Sequence, residues 1–389
     1  MVRPSIETRR LTARASGGSY GDRSAGLARR GEPSVLTVSA RMREAMERLK
    51  QAAVGKADCV AVTAQISHHA ARLAGESTRT FYTDAETFLA CQLHADELYQ
   101  LDTVTTHYDL YNIEAEAMGA PMVWNANETP EADPAHRLLE SVDDWRKLKP
   151  VRIGQAGRMP FILEINRRLM DLALKPKVRF CGPVTLAAKL LGVEKLIVAC
   201  VTEPDRVHAL MTFLTDEVIA PWIVCQREHA GDDNATAGGA DAVASPPILS
   251  VAMVREFCLH YLQRLDKLVG KVRLAALWGE RFLDDPREYM DIKRLAYPGT
   301  CQALDPDVTA LGPALFKAYA DEHDMTLVMG LDAALIEQGP VNAIRSRAQR
   351  FIDEAGRDGR FILFLNDIPY NTPPDHVHAA VAVAHQHRY

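Results

Sequence analysis

Short apolar runs alternate with longer segments of helical periodicity along most of this chain. The runs contain many β-branched residues and end in polar or glycine-containing turns, a pattern typical of buried strands. In the segments between them, apolar residues recur at three- and four-residue spacing, which is typical of helices packed on a sheet. Eight runs follow the pattern: Cys59–Thr63, the start of Val104–Gly119, Val178–Cys181, Ala240–Ala244, Val272–Leu277, Thr300–Leu304, Thr326–Met329 and Phe361–Leu365. Strand and helix in alternation over this length predict an α/β protein with a single (β/α)8 TIM barrel.

The first 37 residues lack this pattern. Between Met1 and Glu32 there are seven arginines and three acidic residues, with glycine and serine between them. A stretch with so few apolar residues cannot bury enough surface to order itself. We therefore predict a disordered basic tail over residues 1–37 and one barrel domain over 38–389, which a helix over Ala40–Ala53 opens. A targeting presequence is the alternative interpretation of the tail.

The composition is that of an ordinary soluble globular protein. Of the 389 residues, 47% are hydrophobic and 25% are charged, and the formal net charge is -6. This charge and the lack of a basic patch argue against a nucleic-acid partner, and no apolar run reaches the about 18 residues that a membrane helix needs. The seven cysteines form no Cys-x-x-Cys motif, which suits a reducing compartment. We expect a cytoplasmic protein with no membrane partner, and formation of a homodimer stays open.

Polar residues follow several of the predicted strands, and in an α/β barrel these positions line one pocket at the reactive face. Asp109 stands where the second predicted strand gives way to a helix over Ile113–Met118. It either caps that turn or takes part in catalysis. His68 after the first strand and Glu280 after the strand at Val272–Leu277 are the other catalytic candidates. The residues expected to contact a substrate are His107, Tyr111, Asn112, Trp278, Asn366 and Asp367.

The segment Asp109–Ala120 resembles the corresponding segment of the uroporphyrinogen decarboxylase and cobalamin methyltransferase superfamily. Four more blocks agree with this superfamily in order along the chain. They are Ser67–Gly75, Gly182–Gly192, Gly239–Val243 together with Leu249–Leu262, and Thr372–Pro374. The resemblance covers roughly residues 40 to 385 and implies the TIM barrel of the uroporphyrinogen decarboxylase (URO-D) type.

The decarboxylase branch of this superfamily has substrate-binding residues that this chain lacks. Its N-terminal arginine run is replaced here by the segment around His68, its tyrosine position corresponds to Lys189, and its histidine position corresponds to Asn366. Only Asp109 stands where the resemblance implies the catalytic aspartate, which stabilises a cationic intermediate. A Gln-Ala-Gly-Arg string at Gln155–Arg158 falls some ninety residues too late in the block order, so we interpret it as coincidence. Without the arginines a polycarboxylate is poorly held.

The methyltransferase branch resembles the chain more closely, but its zinc ligands are missing. Many members bind zinc through a His-x-Cys motif, which reads Ala276-Leu277-Trp278 here, and no cysteine lies beyond Cys301. The resemblance therefore implies a zinc-free class, which passes methyl groups between quaternary amines and a corrinoid. It implies a corrinoid (methylcobalamin) as methyl donor or acceptor, a corrinoid-binding protein as partner, and no zinc. Trp278 would then suit cation–π contact with such a substrate, or it packs in the core.

Three hypotheses follow for the function. The first is a zinc-independent, corrinoid-linked methyltransferase that acts on a small methylated substrate. The second is a decarboxylase-like lyase that acts on a tetrapyrrole or another carboxylated substrate, with Asp109 as the charge stabiliser. The third is a barrel that binds a tetrapyrrole without turning it over.

Overall fold

The structure, a computed structural model, describes residues 36–389. Their strands are β1 (Ala61–Ala64), β2 (Met122–Val123), β3 (Glu131–Ala132), β4 (Val178–Cys181), β5 (Ala237–Ala240), β6 (Val272–Ala275), β7 (Thr300–Leu304), β8 (Thr326–Leu331) and β9 (Phe361–Leu365). Their α-helices are α1 (Ala40–Ala52), α2 (His69–Ala74), α3 (Thr78–Phe81), α4 (Ala85–Tyr99), α5 (Ile113–Ala117), α6 (Met159–Asp171), α7 (Pro183–Leu191), α8 (Val193–Thr202), α9 (Pro204–Phe213), α10 (Ala220–Ala230), α11 (Val251–Met253), α12 (His260–Val269), α13 (Pro286–Ala296), α14 (Asp307–Leu311), α15 (Pro313–Glu322), α16 (Ala333–Gln338), α17 (Val341–Ala355) and α18 (Pro374–Gln386). Two π-helical turns, Leu214–Ile219 and Val254–Leu259, continue α9 into α10 and α11 into α12.

Seven parallel strands form two sheets, ordered β1-β9-β8-β7 and β4-β5-β6. Helices separate consecutive parallel strands, as expected for crossover connections. A short antiparallel hairpin, β2 with β3, lies outside both sheets. The predicted α/β architecture of the TIM type is confirmed, although hydrogen bonds do not close the barrel into one continuous sheet.

The predicted second strand is the main departure from the expected barrel. Residues 101–108 run beside β1, where the Asp102 amide donates to the carbonyl of Val62 at 2.9 Å, yet they form no ladder. The reason is that the Asp96 carboxylate accepts both the backbone N–H of Thr105, at 2.8 Å, and its hydroxyl, at 2.9 Å. A backbone group that bonds to a buried side chain is not available to a neighbouring strand.

The barrel wall has an apolar outer face and a partly polar inner face. On the outer face, a Cβ atom at Gly239 would lie only 2.4 Å from the ring of Phe180 and 2.9 Å from Leu274. Glycine is therefore required there for close packing. β5 spans Ala237–Ala240 and not the predicted Ala240–Ala244. The next residue, Asp241, leaves the sheet, and its carboxylate accepts from the Thr185 N–H at 2.6 Å, at the start of α7.

The start of the described chain belongs to the barrel domain. Leu36 and Val38 pack with Met42 of α1, with Leu93 and with Val104 in a small apolar cluster. The side chain of Ser39 caps α1 by accepting from the Met42 N–H at 3.1 Å. Leu36, which the predicted tail included, therefore packs with the domain. The remainder of that prediction, residues 1–35, lies outside the described residues.

One helical stretch within residues 36–389, Pro204–Ala230, is long and apolar enough by length and composition to cross a membrane. Of its most apolar window, 56% is buried inside the protein, and Leu210 and Trp222 contact other core residues. Asp216 and Glu217 interrupt the stretch, so it contains no unbroken apolar run of membrane length. The buried core helix of a soluble protein meets the same criterion of length and composition.

Candidate active site at the barrel mouth

Asp109 forms a bidentate ion pair with Arg158, the residue that precedes α6. The two terminal nitrogens of Arg158 donate to the two carboxylate oxygens at 2.7 and 2.6 Å. The Nε atom of the same guanidinium donates to Glu116 of α5 at 2.6 Å. Burial raises the pKa of Asp109 to about 6, although Arg158 acts in the opposite direction. The capping interpretation of Asp109 is wrong, because its side chain makes no cap hydrogen bond to the turn that follows.

A tryptophan in the loop between β2 and β3 covers this ion pair. The guanidinium carbon of Arg158 lies 5.0 Å from the ring centroid of Trp124, and that of Arg79 lies 4.5 Å from it. Both distances are within the range of cation–π contact. Trp124 therefore lies against two arginines and shields the Asp109–Arg158 pair from solvent.

His68 packs against the same hairpin loop. Its Nδ1 atom lies 3.2 Å from the Tyr82 hydroxyl and 3.3 Å from the Thr129 hydroxyl. Its ring stacks on Tyr370 with centroids 5.8 Å apart. Burial lowers the pKa of His68, with Glu128 acting in the opposite direction. At neutral pH His68 is therefore an uncharged imidazole that one or both hydroxyls hold in position.

Asp367 follows β9 and faces the same region. Its backbone has a φ of 90°, in the left-handed region that only a few non-glycine residues adopt. Burial raises the pKa of Asp367 to about 6. Burial also raises the pKa of Tyr82, and the charges of Asp109 and Asp367 raise it further, which places all three groups near one another. Among residues 36–389, no arginine or lysine pairs with Asp367.

Tyr111 extends this site toward the ends of β4 and β5. Burial raises its pKa, and the neighbouring Cys181, Asp241 and Asp367 act in the same direction. Strand ends from both sheets thus contribute to one pocket, as the barrel topology predicts. The structure brings together four of the predicted residues, namely Asp109, His68, Tyr111 and Asp367.

Three other predicted residues have different surroundings. Asn112 is buried, and its amide donates to the carbonyl of Pro130 at 3.0 Å while accepting from the Ala132 N–H at 3.0 Å. It therefore holds the β2–β3 hairpin in place. Glu280 is buried in an ion pair with Lys293 of α13, which also donates to the Gln302 carbonyl at 2.7 Å. Asn366 donates only its backbone N–H, to the Leu331 carbonyl at 3.2 Å.

His107 and Trp278 lie at other points of the barrel wall. The charges of Lys177 and Arg179, at the start of β4, add to burial in lowering the pKa of His107 to about 3. His107 therefore lies near the start of β4, away from the Asp109–Arg158 pair. Trp278 follows β6, is half-buried, and donates its backbone N–H to the hydroxyl of Ser245 at 3.2 Å.

Sequence reasoning missed Arg158, Trp124, Tyr82 and Thr129 as members of this site. The Gln155–Arg158 string, which we had interpreted as coincidence, supplies the arginine that holds Asp109. The sequence does show a cationic residue, Arg158, directly before a helix that starts at Met159. Its partner could not be read from the sequence, because the hairpin and its loops lie between Asp109 and Arg158.

The residues present do not fit a zinc ion. Where the resemblance places the His-x-Cys ligands, the chain has Ala276, which bonds by its N–H to the side chain of Gln302, and Leu277, which is buried in the apolar core. Across residues 36–389 no group of three or more His, Cys, Asp or Glu side chains could hold a metal ion. Structural and catalytic zinc sites need at least three such ligands.

A family model described as uroporphyrinogen decarboxylase (URO-D) matches residues 44–387. Because this match covers most of the chain, the protein belongs to the uroporphyrinogen decarboxylase (URO-D) family. A solved structure described as a methyltransferase from Methanosarcina mazei superposes on it with a TM-score of 0.69 at 21% identity. That superposition covers 87% of this chain and 98% of the other, and it shows the shared fold.

Two relatives place the chain on the methyltransferase side of the family. A methylated-thiol–coenzyme M methyltransferase of Methanosarcina mazei is 27% identical over 194 residues, which is 47% of this chain and 48% of that protein. The methylcobamide:CoM methyltransferase MtaA of Methanosarcina barkeri is 26% identical over 206 residues, 51% of this chain and 58% of that protein. The matches span only about half the length of these relatives. They confirm the predicted family and its methyltransferase branch, at low identity.

Proposed function

We propose that the protein is a zinc-independent methyltransferase that moves a methyl group between a small methylated cation and a corrinoid. The corrinoid, as methyl donor or acceptor, would be presented by a corrinoid-binding protein. The observation that carries this proposal is Asp367, a half-buried carboxylate at the barrel mouth with no cationic partner in residues 36–389. A quaternary ammonium group would supply the missing positive charge.

The other charges at the mouth favour a cationic ligand too. Arg158 is shared by two carboxylates, those of Asp109 and Glu116, so this group of three carries a net negative charge. Asp367 adds a second negative charge, while Arg79, whose guanidinium lies on the Trp124 ring, brings one positive charge to the edge of the site. In a site partly withdrawn from water, such charges attract a cation more strongly than they would at an exposed surface. The aromatic face of Tyr111 suits a methylated ammonium group, which binds aromatic rings by cation–π contact. Trp278, which follows β6 at another point of the barrel wall, is a second aromatic candidate.

This substrate class also agrees with the missing zinc ligands. Zinc in the related enzymes activates a thiol, whereas a quaternary ammonium gives up its methyl group without such activation. The carbon–nitrogen bond would break with its electron pair kept on nitrogen, which gives a neutral tertiary amine, and a bound corrinoid would supply the electron pair that accepts the methyl carbon. No proton has to move. In this reaction the protein's residues bind and orient: Asp367 holds the ammonium, and the aromatic rings exclude water.

The decarboxylase alternative has less support from the site. A carboxylated substrate needs free cationic partners. Arg158 is bound by Asp109 and Glu116, and Lys189 is paired with Glu131 of the hairpin, so among the described residues at the mouth the exposed Arg79 is the arginine left without an ion pair. Asp109 does occupy the place of the decarboxylase aspartate, so uroporphyrinogen belongs in the substrate tests. The third hypothesis, a tetrapyrrole-binding barrel without turnover, would be supported by a coloured macrocycle that co-purifies with an inactive protein.

The proposal is tested with a substrate panel and a matched neutral analogue. Choline and 3,3-dimethylbutan-1-ol have the same shape, but only choline carries a charge. With a corrinoid-binding protein as partner, we expect choline or a related quaternary amine to change the visible absorption of the corrinoid, and the neutral analogue to leave it unchanged. Methylated thiols, named for one relative, and uroporphyrinogen complete the panel. Turnover restricted to methylated thiols, or decarboxylation of uroporphyrinogen, would contradict the proposal.

A further inference from the structure

His68 lies in the turn between β1 and α2, and its side chain does not cap that helix. It directly precedes α2, yet it makes no cap hydrogen bond to it. The residue before it, Ser67, has a φ of 49°, in the left-handed region that few non-glycine residues adopt. Strained backbone of this kind is concentrated at functional sites. The turn places the imidazole at the barrel mouth, where residues that follow strands line the pocket.

Three neighbours fix the orientation of this imidazole and the position of its proton. The ring stacks on Tyr370 with an interplanar angle of 17°. The Nδ1 atom lies 3.2 Å from the Tyr82 hydroxyl and 3.3 Å from the Thr129 hydroxyl, so two O–H donors converge on it. Burial raises the pKa of Tyr82, which therefore keeps its proton. Nδ1 is thus the acceptor, and in a neutral imidazole the other nitrogen, Nε2, then carries the proton.

The Nε2–H group of His68 is not used by the protein. It has no hydrogen-bond partner in residues 36–389. Unlike the Nδ1 atom of His107, it is not enclosed by protein atoms, and the residue as a whole is half-buried. A ring that two hydroxyls and an aromatic face hold in place therefore presents one free donor to the mouth. A ligand that binds there has to supply an acceptor atom.

This donor lies next to Asp367. Strand β1 pairs with β9 in parallel register, and beyond the ladder the Ile368 N–H donates to the Gln65 carbonyl at 2.9 Å. Tyr370, on which His68 stacks, follows Asp367 by three residues. Neighbouring strands lie about 4.8 Å apart. A cation at Asp367 and an acceptor at His68 can therefore belong to one small molecule, with a short carbon link between them.

The arginines around this donor are held by other groups, which favours a neutral acceptor over a carboxylate. Arg158 is shared by two carboxylates. Arg72 donates to the Thr372 carbonyl at 3.1 Å, and Arg79 lies against the Trp124 ring. A carboxylate is best bound by an arginine that is free to donate twice. An alcohol or ether oxygen needs only one neutral N–H donor.

We infer that His68 determines which quaternary ammonium ions are substrates: its Nε2–H donates to a neutral oxygen of an ammonium alcohol or ether, such as choline. This inference rests on the proposed function, because it takes the ammonium group to lie at Asp367. It goes beyond that function by discriminating against ammonium ions that carry only alkyl groups. His68 binds and orients the substrate and takes no part in making or breaking bonds.

Two ligands of equal charge and similar size test the donor. Choline carries a hydroxyl where n-propyltrimethylammonium carries a methyl group. The wild type should bind choline about 2- to 12-fold more tightly in calorimetric titrations, the scale of one hydrogen bond. His68→Phe keeps a ring against Tyr370 but has no N–H, so it should bind the two ligands equally. His68→Gln, whose amide also donates, should keep part of the preference. His229→Leu, at an exposed histidine of α10, is the control and should keep all of it.

Nitrogen-15 NMR of the histidine rings in the full chain tests the tautomer without any ligand. We expect the His68 ring to be neutral and protonated at Nε2 at pH 7.5. Its signals are those missing from the spectrum of His68→Gln. This measurement decides even if His68→Phe does not fold. A ring protonated at Nδ1 would overturn the inference, because Nε2 would then be an acceptor.

The ligand titrations also separate this inference from the proposed function. If the wild type binds both ammonium ions equally, or if His68→Phe keeps the preference for choline, the inference is wrong while the proposed function stands. If neither ion binds, the proposed function fails and the inference fails with it. Glycine betaine carries a carboxylate where choline carries a hydroxymethyl group. Binding of betaine that depends on His68 and is tighter than that of choline would overturn the assignment of a neutral oxygen.

Discussion

Arg158 holds Asp109 through both terminal nitrogens of its guanidinium, and the two residues are 49 positions apart in the chain. The pair joins the end of the 101–108 segment to the start of α6. The negative charge of Asp109, the aspartate to which the family resemblance assigns a catalytic role, is therefore compensated by a residue of the protein itself. The unpaired negative charge at the mouth belongs to Asp367, which makes that residue the better candidate for contact with a cationic ligand.

Breaking the Asp109–Arg158 pair should destabilise the fold. The two side chains are 0% and 7% exposed, and replacing the aspartate leaves the buried guanidinium paired with Glu116 alone among the described residues. We expect Asp109→Asn to lower the free energy of unfolding by about 1.5–3 kcal/mol, the scale of a hydrogen bond to a charged group, measured by urea denaturation. Glu140→Gln, in the exposed Lys195–Glu140 pair, is the control and should change it by less than about 1 kcal/mol. A loss below about 1 kcal/mol in Asp109→Asn would show that the pair contributes little.

The double variant Asp109→Asn/Arg158→Gln then separates stability from function. Removing both charges should recover part of the lost stability, because the buried guanidinium is gone and the Glu116 carboxylate that loses its partner is 18% exposed and so in contact with water. If Asp109 also acts on the substrate, turnover stays low in the double variant at temperatures where it is fully folded. If turnover recovers together with stability, Asp109 has a structural role and does not act on the substrate.

Asp367 should make the binding of a quaternary ammonium depend on pH. Burial raises the pKa of Asp367 to about 6, so its carboxylate becomes charged as the pH rises through that value. The affinity for choline, measured by calorimetry, should rise between about pH 5 and 7 and level off above. Asp367→Asn should abolish this rise, while 3,3-dimethylbutan-1-ol should bind without any pH dependence. An unchanged profile in Asp367→Asn would assign the titration to another group.

The same shift predicts the effect of Asp367 on stability. A raised pKa means that the folded state binds the proton more tightly than the unfolded state between the ordinary value of 3.8 and about 6. The contribution of Asp367 is therefore most favourable below this window and declines as the pH rises through it. Asp367→Asn should thus be at least as stable as the wild type at pH 7, and asparagine tolerates the left-handed backbone there. This makes it a folded control for the binding test.

If Trp278 contacts the ligand, its contribution to the binding free energy should depend on the positive charge of that ligand. Cation–π contacts are worth about 0.5–2 kcal/mol, so Trp278→Leu should weaken choline binding about 2- to 30-fold. The neutral analogue should lose much less affinity, since leucine keeps most of the apolar contact. Equal losses for the two ligands would identify Trp278 as a packing residue. Calorimetric titration of both ligands against both proteins provides the comparison.

The protein should carry no stoichiometric zinc. Ala276, Leu277 and Trp278 stand at the expected ligand positions, and none of these side chains coordinates a metal. Elemental analysis after purification without chelators should find well below one zinc per chain, and chelators should leave activity unchanged. One zinc per chain, lost together with activity on chelation, would return the protein to the thiol-activating class.

The sequence predicts the barrel well where its apolar pattern is decisive. β7 and β9 lie where predicted, at Thr300–Leu304 and Phe361–Leu365. β9 is a continuous run of aromatic and aliphatic residues, a pattern typical of a buried strand. The prediction of the second strand was wrong because the side chain of Asp96 accepts the hydrogen bond of the Thr105 backbone N–H, which a neighbouring strand would otherwise accept. Such a contact depends on the packing of α4 and has no local signature.

The site is predicted only in part, for a related reason. Positions that follow strands identified Asp109, His68, Tyr111 and Asp367, because barrel topology alone brings them together. Arg158 and Trp124 reach the site from the hairpin and the loops around it, and no periodicity describes where those fold. The net charge of the site therefore could not be predicted from the sequence, since it depends on whether Arg158 pairs with Asp109.

The domain should begin at Leu36 and not at Val38. Leu36 packs with Met42, Leu93 and Val104 in an apolar cluster beside α1, and burying part of a leucine stabilises a fold by about 1–2 kcal/mol. A chain that starts at Leu36 should melt at the temperature of the full chain, whereas one that starts at Val38 should melt a few degrees lower. Leu36→Ala in the full chain is the control, and it should reproduce most of that loss, because it removes the same contacts without shortening the chain. Equal melting temperatures for the two shortened chains would show that Leu36 contributes nothing and would restore the boundary at residue 38.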